Sequence, residues 1–171
     1  MISKTYVQTM AAYNAWQNDW LIKAVQQLTP EQRSQDLGSF FGSIEATMNH
    51  LLWADQIWLH RLAGAPKPQA KSIPESTSQF ADFAELIKAR KATDQRLKDW
   101  TAQVSEAELA GELRWFSGAT GKEMSNERAR CITHMFNHQT HHRGQIHGML
   151  TQLGVATGTT DLVFMPASYL S

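Results

Sequence analysis

Residues 131–145 read Cys131-Ile-Thr-His134-Met-Phe-Asn-His138-Gln-Thr-His141-His142-Arg-Gly-Gln145, and they hold four of the chain's seven histidines. An α-helix turns ~100° per residue, so with His134 as origin His138 falls near ~40°, His141 near ~340°, His142 near ~80° and Gln145 near ~20°. One face of the predicted helix carries all five polar groups, the layout of a metal site that lacks a partner from another element. His138 and His142 stand at i and i+4, which brings imidazoles from adjacent turns toward one point, as in zinc-binding HExxH helices. No glutamate lies between them, so the general base of that motif is absent. His134 and His138 share the same spacing, and spacing alone does not choose between the two pairs.

The rest of the chain must supply the scaffold. With 171 residues, of which 42% are hydrophobic and 19% charged, one domain over residues 1–171 is expected to bury roughly two-thirds of its unfolded surface. Sixteen basic residues balance sixteen acidic ones and are scattered, which argues against the basic patch or stripe of a nucleic-acid binder. Apolar runs such as Leu51-Leu-Trp-Ala are broken by charge within a few residues, well short of the ~20-residue span that crosses a bilayer. A lone cysteine, Cys131, cannot form an intramolecular disulfide, and the start MISKTYVQTM lacks a basic-then-apolar secretory layout. A cytoplasmic location is the expectation.

Hydrophobic periodicity predicts four long amphipathic helices. The first covers residues 3–28, with Tyr6, Met10, Tyr13, Trp20, Leu21, Ala24 and Leu28 stepping by three and four. Asn14 and Gln17 interrupt or border that stripe, which marks them as core amides or as polar groups reaching the site. Thr29-Pro30-Glu31 suits a helix entry and ends the first run. The second helix is expected over residues 44–62, capped by Ser43 and stopped by Gly64. It is apolar around most of its circumference, with His50 and Asp55 as polar exceptions that need partners if buried; His60, near its end, is expected at the surface. Residues 64–77 hold three of the five prolines and form a long connecting loop. A third helix follows over residues 78–104, its middle, 88–96, read as mostly a solvated charged face. Glycines and the alternating run Glu112-Leu-Arg-Trp-Phe in residues 109–124 point to a short hairpin around Ser117-Gly-Ala-Thr. Ser125 is expected to cap the fourth long helix, which ends near Gly154. The fold class is all-α, a four-helix bundle with a long crossover loop, and bundle interiors are where such folds place metal sites.

Two histidines bind a divalent ion weakly, and His50, on another buried helix, is the obvious third ligand. Three neutral imidazoles leave positions open to water or substrate, as in catalytic sites. Imidazole suits zinc, nickel, copper and iron alike. Cys131 lies near ~60° on the His134 face, so a Cys/His nucleophile pair is geometrically allowed, although a lone cysteine on an apolar helix is more often inert packing. Neither a G-x-S-x-G elbow nor a glycine-rich phosphate loop occurs.

Tyr13-Asn-Ala-Trp16, Gly42-Ser-Ile, Asn49-His-Leu-Leu-Trp-Ala-Asp55 and Asn137-His-Gln-Thr-His-His-Arg-Gly-Gln145, in this order, resemble the DinB/YfiT-like family of metal-binding helix-bundle proteins, which is distinct from the DNA polymerase of similar name. The resemblance implies an up-down-down-up four-helix bundle, usually a homodimer, with a divalent metal, zinc or nickel foremost, on three histidines. Its pattern places the ligands on His50, His138 and His142, leaving His134 and His141 to support the ligands or line the pocket; Asn14 and Gln17, from their place on the first helix, are further pocket candidates. Relatives include transferases of a low-molecular-weight thiol such as bacillithiol or mycothiol. A metal-dependent enzyme of the thiol-transferase or hydrolase kind, acting on a small molecule, is therefore the leading expectation. The alternative is a non-catalytic metal-binding stress-response protein whose bundle serves dimer contacts. Asp55 lies ~140° around the helix from His50, and a structural role is expected for it.

Overall fold

The computed structural model describes residues 2–118 and 120–170. It is mostly helical. Helix α1 (Lys4–Val25) opens on Ser3, whose hydroxyl accepts the Tyr6 N–H, and the short α2 (Pro30–Ser34) begins at the predicted break with a Thr29/Gln32 capping box. Helix α3 (Ile44–Ala63) is capped by Ser43 and terminated by Gly64 at φ 67°, in the left-handed region that favours glycine. Within the proline-bearing loop a single turn, α4 (Ile73–Ser76), is capped by Ser72.

Helix α5 (Phe83–Gln103) starts later than the periodicity predicts, because Asp82 and not the Ser78 region provides the cap. The buried Asn49 side chain explains the delay: its Oδ1 accepts the Phe80 N–H at 2.8 Å and its Nδ2 donates to the Phe80 carbonyl at 3.3 Å. Those backbone groups serve α3 instead of an earlier helical turn. After α6 (Glu106–Leu109) comes the expected hairpin, β1 (Glu112–Ser117) antiparallel to β2 (Lys122–Glu127), with Glu112 opposite Glu127 and Ser117 opposite Lys122. Ser125 is not the cap of the last long helix. It lies in β2 opposite Arg114, and α7 (Arg128–Gln152) begins at Glu127 with no side-chain cap. The Arg128 N–H instead reaches the Gly111 carbonyl at 2.9 Å, so the hairpin base terminates the helix.

Helix α1 packs on α5 and α7, and α3 packs on the same two. The core has two apolar ends. One gathers Leu21, Val25, Ile44, Leu51, Leu52, Leu86, Ile146 and Leu150; the other gathers Val7, Ala11, Leu59, Leu97, Ile132 and Phe136. Between them lies a buried polar layer drawn from all four long helices. Arg90 Nη1 meets Asp55 Oδ2 at 2.7 Å and Arg90 Nη2 meets Asp94 Oδ1 at 2.8 Å. Asn18 donates to Asp94 at 2.9 Å, Gln139 donates to Asp55, and Arg143 donates to Asn14 at 2.7 Å and to Gln139 at 3.3 Å. Arg90 and Asp94 are thus exceptions within the mostly solvated 88–96 face: an isolated amphipathic pattern cannot register that Asp55 from α3 and Asn18 from α1 arrive to receive them. Asp55 has the structural role expected of it. No helix among the described residues is long and apolar enough to cross a membrane.

Candidate metal centre

Along α3, His50 is 4% exposed; on α7, His142 is 5% exposed, and His138 beside them is half-buried. Their Nε2 atoms converge. His138 Nε2 stands 3.3 Å from His50 Nε2 and 3.1 Å from His142 Nε2. Two imidazole nitrogens bound to zinc at ~2.05 Å in a tetrahedron lie ~3.3 Å apart, so these edges fit a common divalent ion.

The far nitrogens decide which lone pairs face inward. His50 Nδ1 lies 2.8 Å from Ser76 Oγ, and that hydroxyl spends its own hydrogen on the Ile73 carbonyl at 2.5 Å. Ser76 can therefore only accept, His50 carries its proton on Nδ1, and its Nε2 presents a lone pair. His142 Nδ1 lies 2.7 Å from Gln145 Oε1, an acceptor, with the same consequence. A polar partner behind a ligating imidazole fixes both its tautomer and its aim. Among the described residues, His50, His138 and His142 form a group able to hold a metal ion.

Electrostatics keep the cluster neutral. Burial pulls the His50 imidazole down to about 4, with the neighbouring His142 adding to it. Burial and the surrounding histidines pull His138 down to about 3. His142 is lowered too, chiefly by burial, against the raising effect of its bond to Gln145. Neutral imidazole is the form that ligates a metal.

A cleft of about 1090 Å³ opens from this cluster. Phe41 covers it, its ring 4.2 Å from the His50 ring and 5.4 Å from that of His142. The walls are Trp53, Ile57, Trp58, Trp115 and Phe116, and Trp53 is pinned by donating to the Ala70 carbonyl at 2.7 Å. His134 lines the cleft, exposed, with its ring 5.4 Å from Trp58 and 5.7 Å from His138. His141 does not line it. It is exposed on the outer edge of α7, and its ring contact with the site is with His142 at 4.9 Å. The ~100° that separates consecutive residues explains the split: where His142 turns toward α3, His141 must turn away.

Asn14 and Gln17 also lie outside the cleft. Asn14 accepts from Arg143 in the polar layer. Gln17 donates to the Thr159 carbonyl and accepts from Trp20 Nε1, which with Tyr13 donating to the Thr160 carbonyl fastens the C-terminal segment to α1. Both are buried, and the partners that hold them there from afar, Arg143 for Asn14 and the Thr159 carbonyl for Gln17, are ones no periodicity reveals. Half-buried His60 bonds the Ala65 carbonyl through Nδ1 at 2.7 Å, so it is not the free surface group its position suggested. Cys131 is buried, and burial pushes its thiol up, the opposite of what an activated nucleophile needs. Sequence reasoning missed Ser76: a serine in a proline-bearing loop carries no local sign that it orients a histidine on another helix.

A sequence model of the DinB family matches residues 1–169. The chain belongs to the DinB family. It is 24% identical over 149 residues to the protein DinB of Bacillus subtilis (strain 168), covering 87% of each chain. A DinB-like protein from Bacillus cereus ATCC 10987 has a similar fold, with TM-score 0.59 at 18% identity over 84% of this chain and 90% of that one. A further match, 34% identical over 110 residues, is to a D-amino-acid oxidase of Schizosaccharomyces pombe; it takes in 58% of this chain but 30% of that protein. Membership of the DinB family and the three-histidine cluster are both compatible with metal binding.

Proposed function

We propose that this DinB-family protein is a cytoplasmic, homodimeric, metal-dependent enzyme of the small-thiol transferase or hydrolase kind, with zinc or nickel held by His50, His138 and His142 and a small molecule as substrate. The observation that carries this reading is the convergence of three Nε2 atoms, two with their tautomers held by Ser76 and Gln145. His50, His138 and His142 would hold the ion, which would supply Lewis acidity for lowering the pKa of a thiol or water. Ser76 and Gln145 keep the two imidazoles aimed, and Phe41 and Trp53 keep bulk water off the cluster. His134, whose pKa burial and nearby Arg61 lower, is the neutral imidazole at the cleft wall. It takes the proton that the nucleophile gives up.

The bundle is read as a single up-down-down-up domain. Supporting it is the order in which each long helix crosses the core: α1 and α7 run from the Val7/Phe136 end through the polar layer to the Leu21/Ile146 end, while α3 and α5 run the other way. The long connection at residues 64–82 then spans the molecule between two helices of the same sense.

Elemental analysis of the purified protein tests the reading, paired with His50→Ala and a panel of thiols and electrophiles. Stoichiometric metal, lost in His50→Ala, and thiol-dependent turnover are expected. A wild-type protein that takes up neither zinc nor nickel would refute it, and metal without turnover would favour the non-catalytic alternative.

A further inference from the structure

The cleft continues well beyond the histidines, and its far end has its own chemistry. His50, Trp53, Ala54, Ile57, Trp58 and Arg61 all line it from α3, a stripe at steps of three and one that keeps to one helix face. His142, His138 and His134 line it from α7 in the opposite direction, for Trp58 meets His134 where His50 meets His138 and His142. The floor is thus a groove with the three-histidine cluster at one end and Arg61 at the other, eleven residues and ~16 Å along α3.

Arg61 is half-buried. Its guanidinium lies 4.7 Å from the Trp58 ring centroid and 5.4 Å from that of Trp115, and the two indoles meet edge to face 5.7 Å apart. These stacking contacts hold the cation in place without occupying its five N–H donors. Among the described residues it has no ion pair and no hydrogen bond. Arg90 and Arg114, by contrast, are matched with carboxylates. Among the described residues no aspartate or glutamate lines the cleft, whereas Lys67, Lys71 and Arg114 do. Between the two ends the α3 and β1 side of the groove is apolar and aromatic, with Trp53, Ala54, Ile57, Trp58 and Trp115, and His134 faces it from α7.

We infer that the cleft takes an elongated organic anion, whose carboxylate or phosphate head pairs with Arg61 while an apolar body lies on Trp53, Ile57 and Trp58 and its other end reaches the three-histidine cluster. A planar, stacked guanidinium with free donors is suited to bidentate binding of either head. This assignment rests on the proposed function for what happens at the histidine end, but the anion end stands on Arg61 and the cleft alone.

Calorimetric titration of zinc-loaded and chelator-treated protein tests it. The probes are a diacid monohydroxamate long enough to span the groove, the analogue with its far carboxylate replaced by a neutral carboxamide, and a phosphonate-tailed counterpart. The carboxylate or phosphonate probe is expected to bind roughly tenfold or more tighter than the carboxamide. That advantage should disappear in Arg61→Met, whose stem still packs on the indoles, and be partly kept in Arg61→Lys; thermal melting confirms that each variant is folded. The preferred head tells a carboxylate ligand from a phosphate one. Equal binding of charged and neutral probes, or an advantage that survives Arg61→Met in a folded protein, overturns the inference. If zinc makes no difference while the Arg61 dependence persists, the metal reading fails and the anion assignment stands.

Discussion

Ser76→Ala is the sharpest probe of how the centre is built. The Ser76 hydroxyl is fully committed, donating to the Ile73 carbonyl at 2.5 Å and accepting from His50 Nδ1 at 2.8 Å. Removing it leaves a buried imidazole N–H without its acceptor, a loss of about 1–3 kcal/mol if the ring stays as it is. The ring can avoid that by moving the proton to Nε2, which blocks the lone pair the metal needs. Either outcome weakens binding, and loss of such an orienting partner typically lowers metal affinity ~10–100-fold, which is ~1.4–2.7 kcal/mol. Competitive titration of zinc against a chromophoric chelator measures this directly. Gln145→Leu, which strips the acceptor behind His142, is expected to fall in the same range. Unchanged zinc affinity in both variants, each with a wild-type helical spectrum, would refute the idea that these partners set the tautomers.

The imidazoles of His50 and His138, held at about 4 and about 3 against an ordinary 6.5, lie below their unfolded values, so the unfolded chain binds protons first. Their contribution to stability is complete above 6.5 and is lost as pH falls toward about 4 and about 3, and urea denaturation of the metal-free protein should show its midpoint declining across that window. Zinc affinity, followed in the same range, should stay level until well below the ordinary histidine value, because the ligands remain neutral. Arg90→Met leaves Asp55 and Asp94 buried without their cation and should cost ~3–5 kcal/mol, seen as a melting temperature lower by about 6–20 °C. Cys131→Ser should leave zinc binding unchanged, and native Cys131 should react with a disulfide reagent far more slowly than in denaturant, as its burial requires.

Much of the helical frame was legible beforehand because it is written in local physics. Ser43 and Gly64 bracket α3 as a capping hydroxyl and a left-handed glycine must, Thr29-Pro30 ends the first run, and the alternation in residues 112–117 announces β1. Misplaced boundaries have one cause in common. Asn49 claims the backbone of Phe80, and Gly111 takes the first N–H of α7; both are contacts between segments far apart in the chain.

The same division runs through the site. From the sequence alone came the histidine-bearing face of α7, the need for a third imidazole and its candidate at His50, since spacing on a helix and the cost of burying an imidazole are properties of a single segment. Tertiary structure decided which histidines meet: His138 and His142 turn toward α3, His134 stays on the cleft wall and His141 faces outward. It also supplied what no segment contains by itself, the Ser76 acceptor behind the His50 ring, the Arg90–Asp55 ion pair across the core, and Arg61 set against the indoles of Trp58 and Trp115. A helix sets the angle at which a side chain leaves it, but the partner that gives that side chain its charge, tautomer and purpose arrives only when distant elements pack.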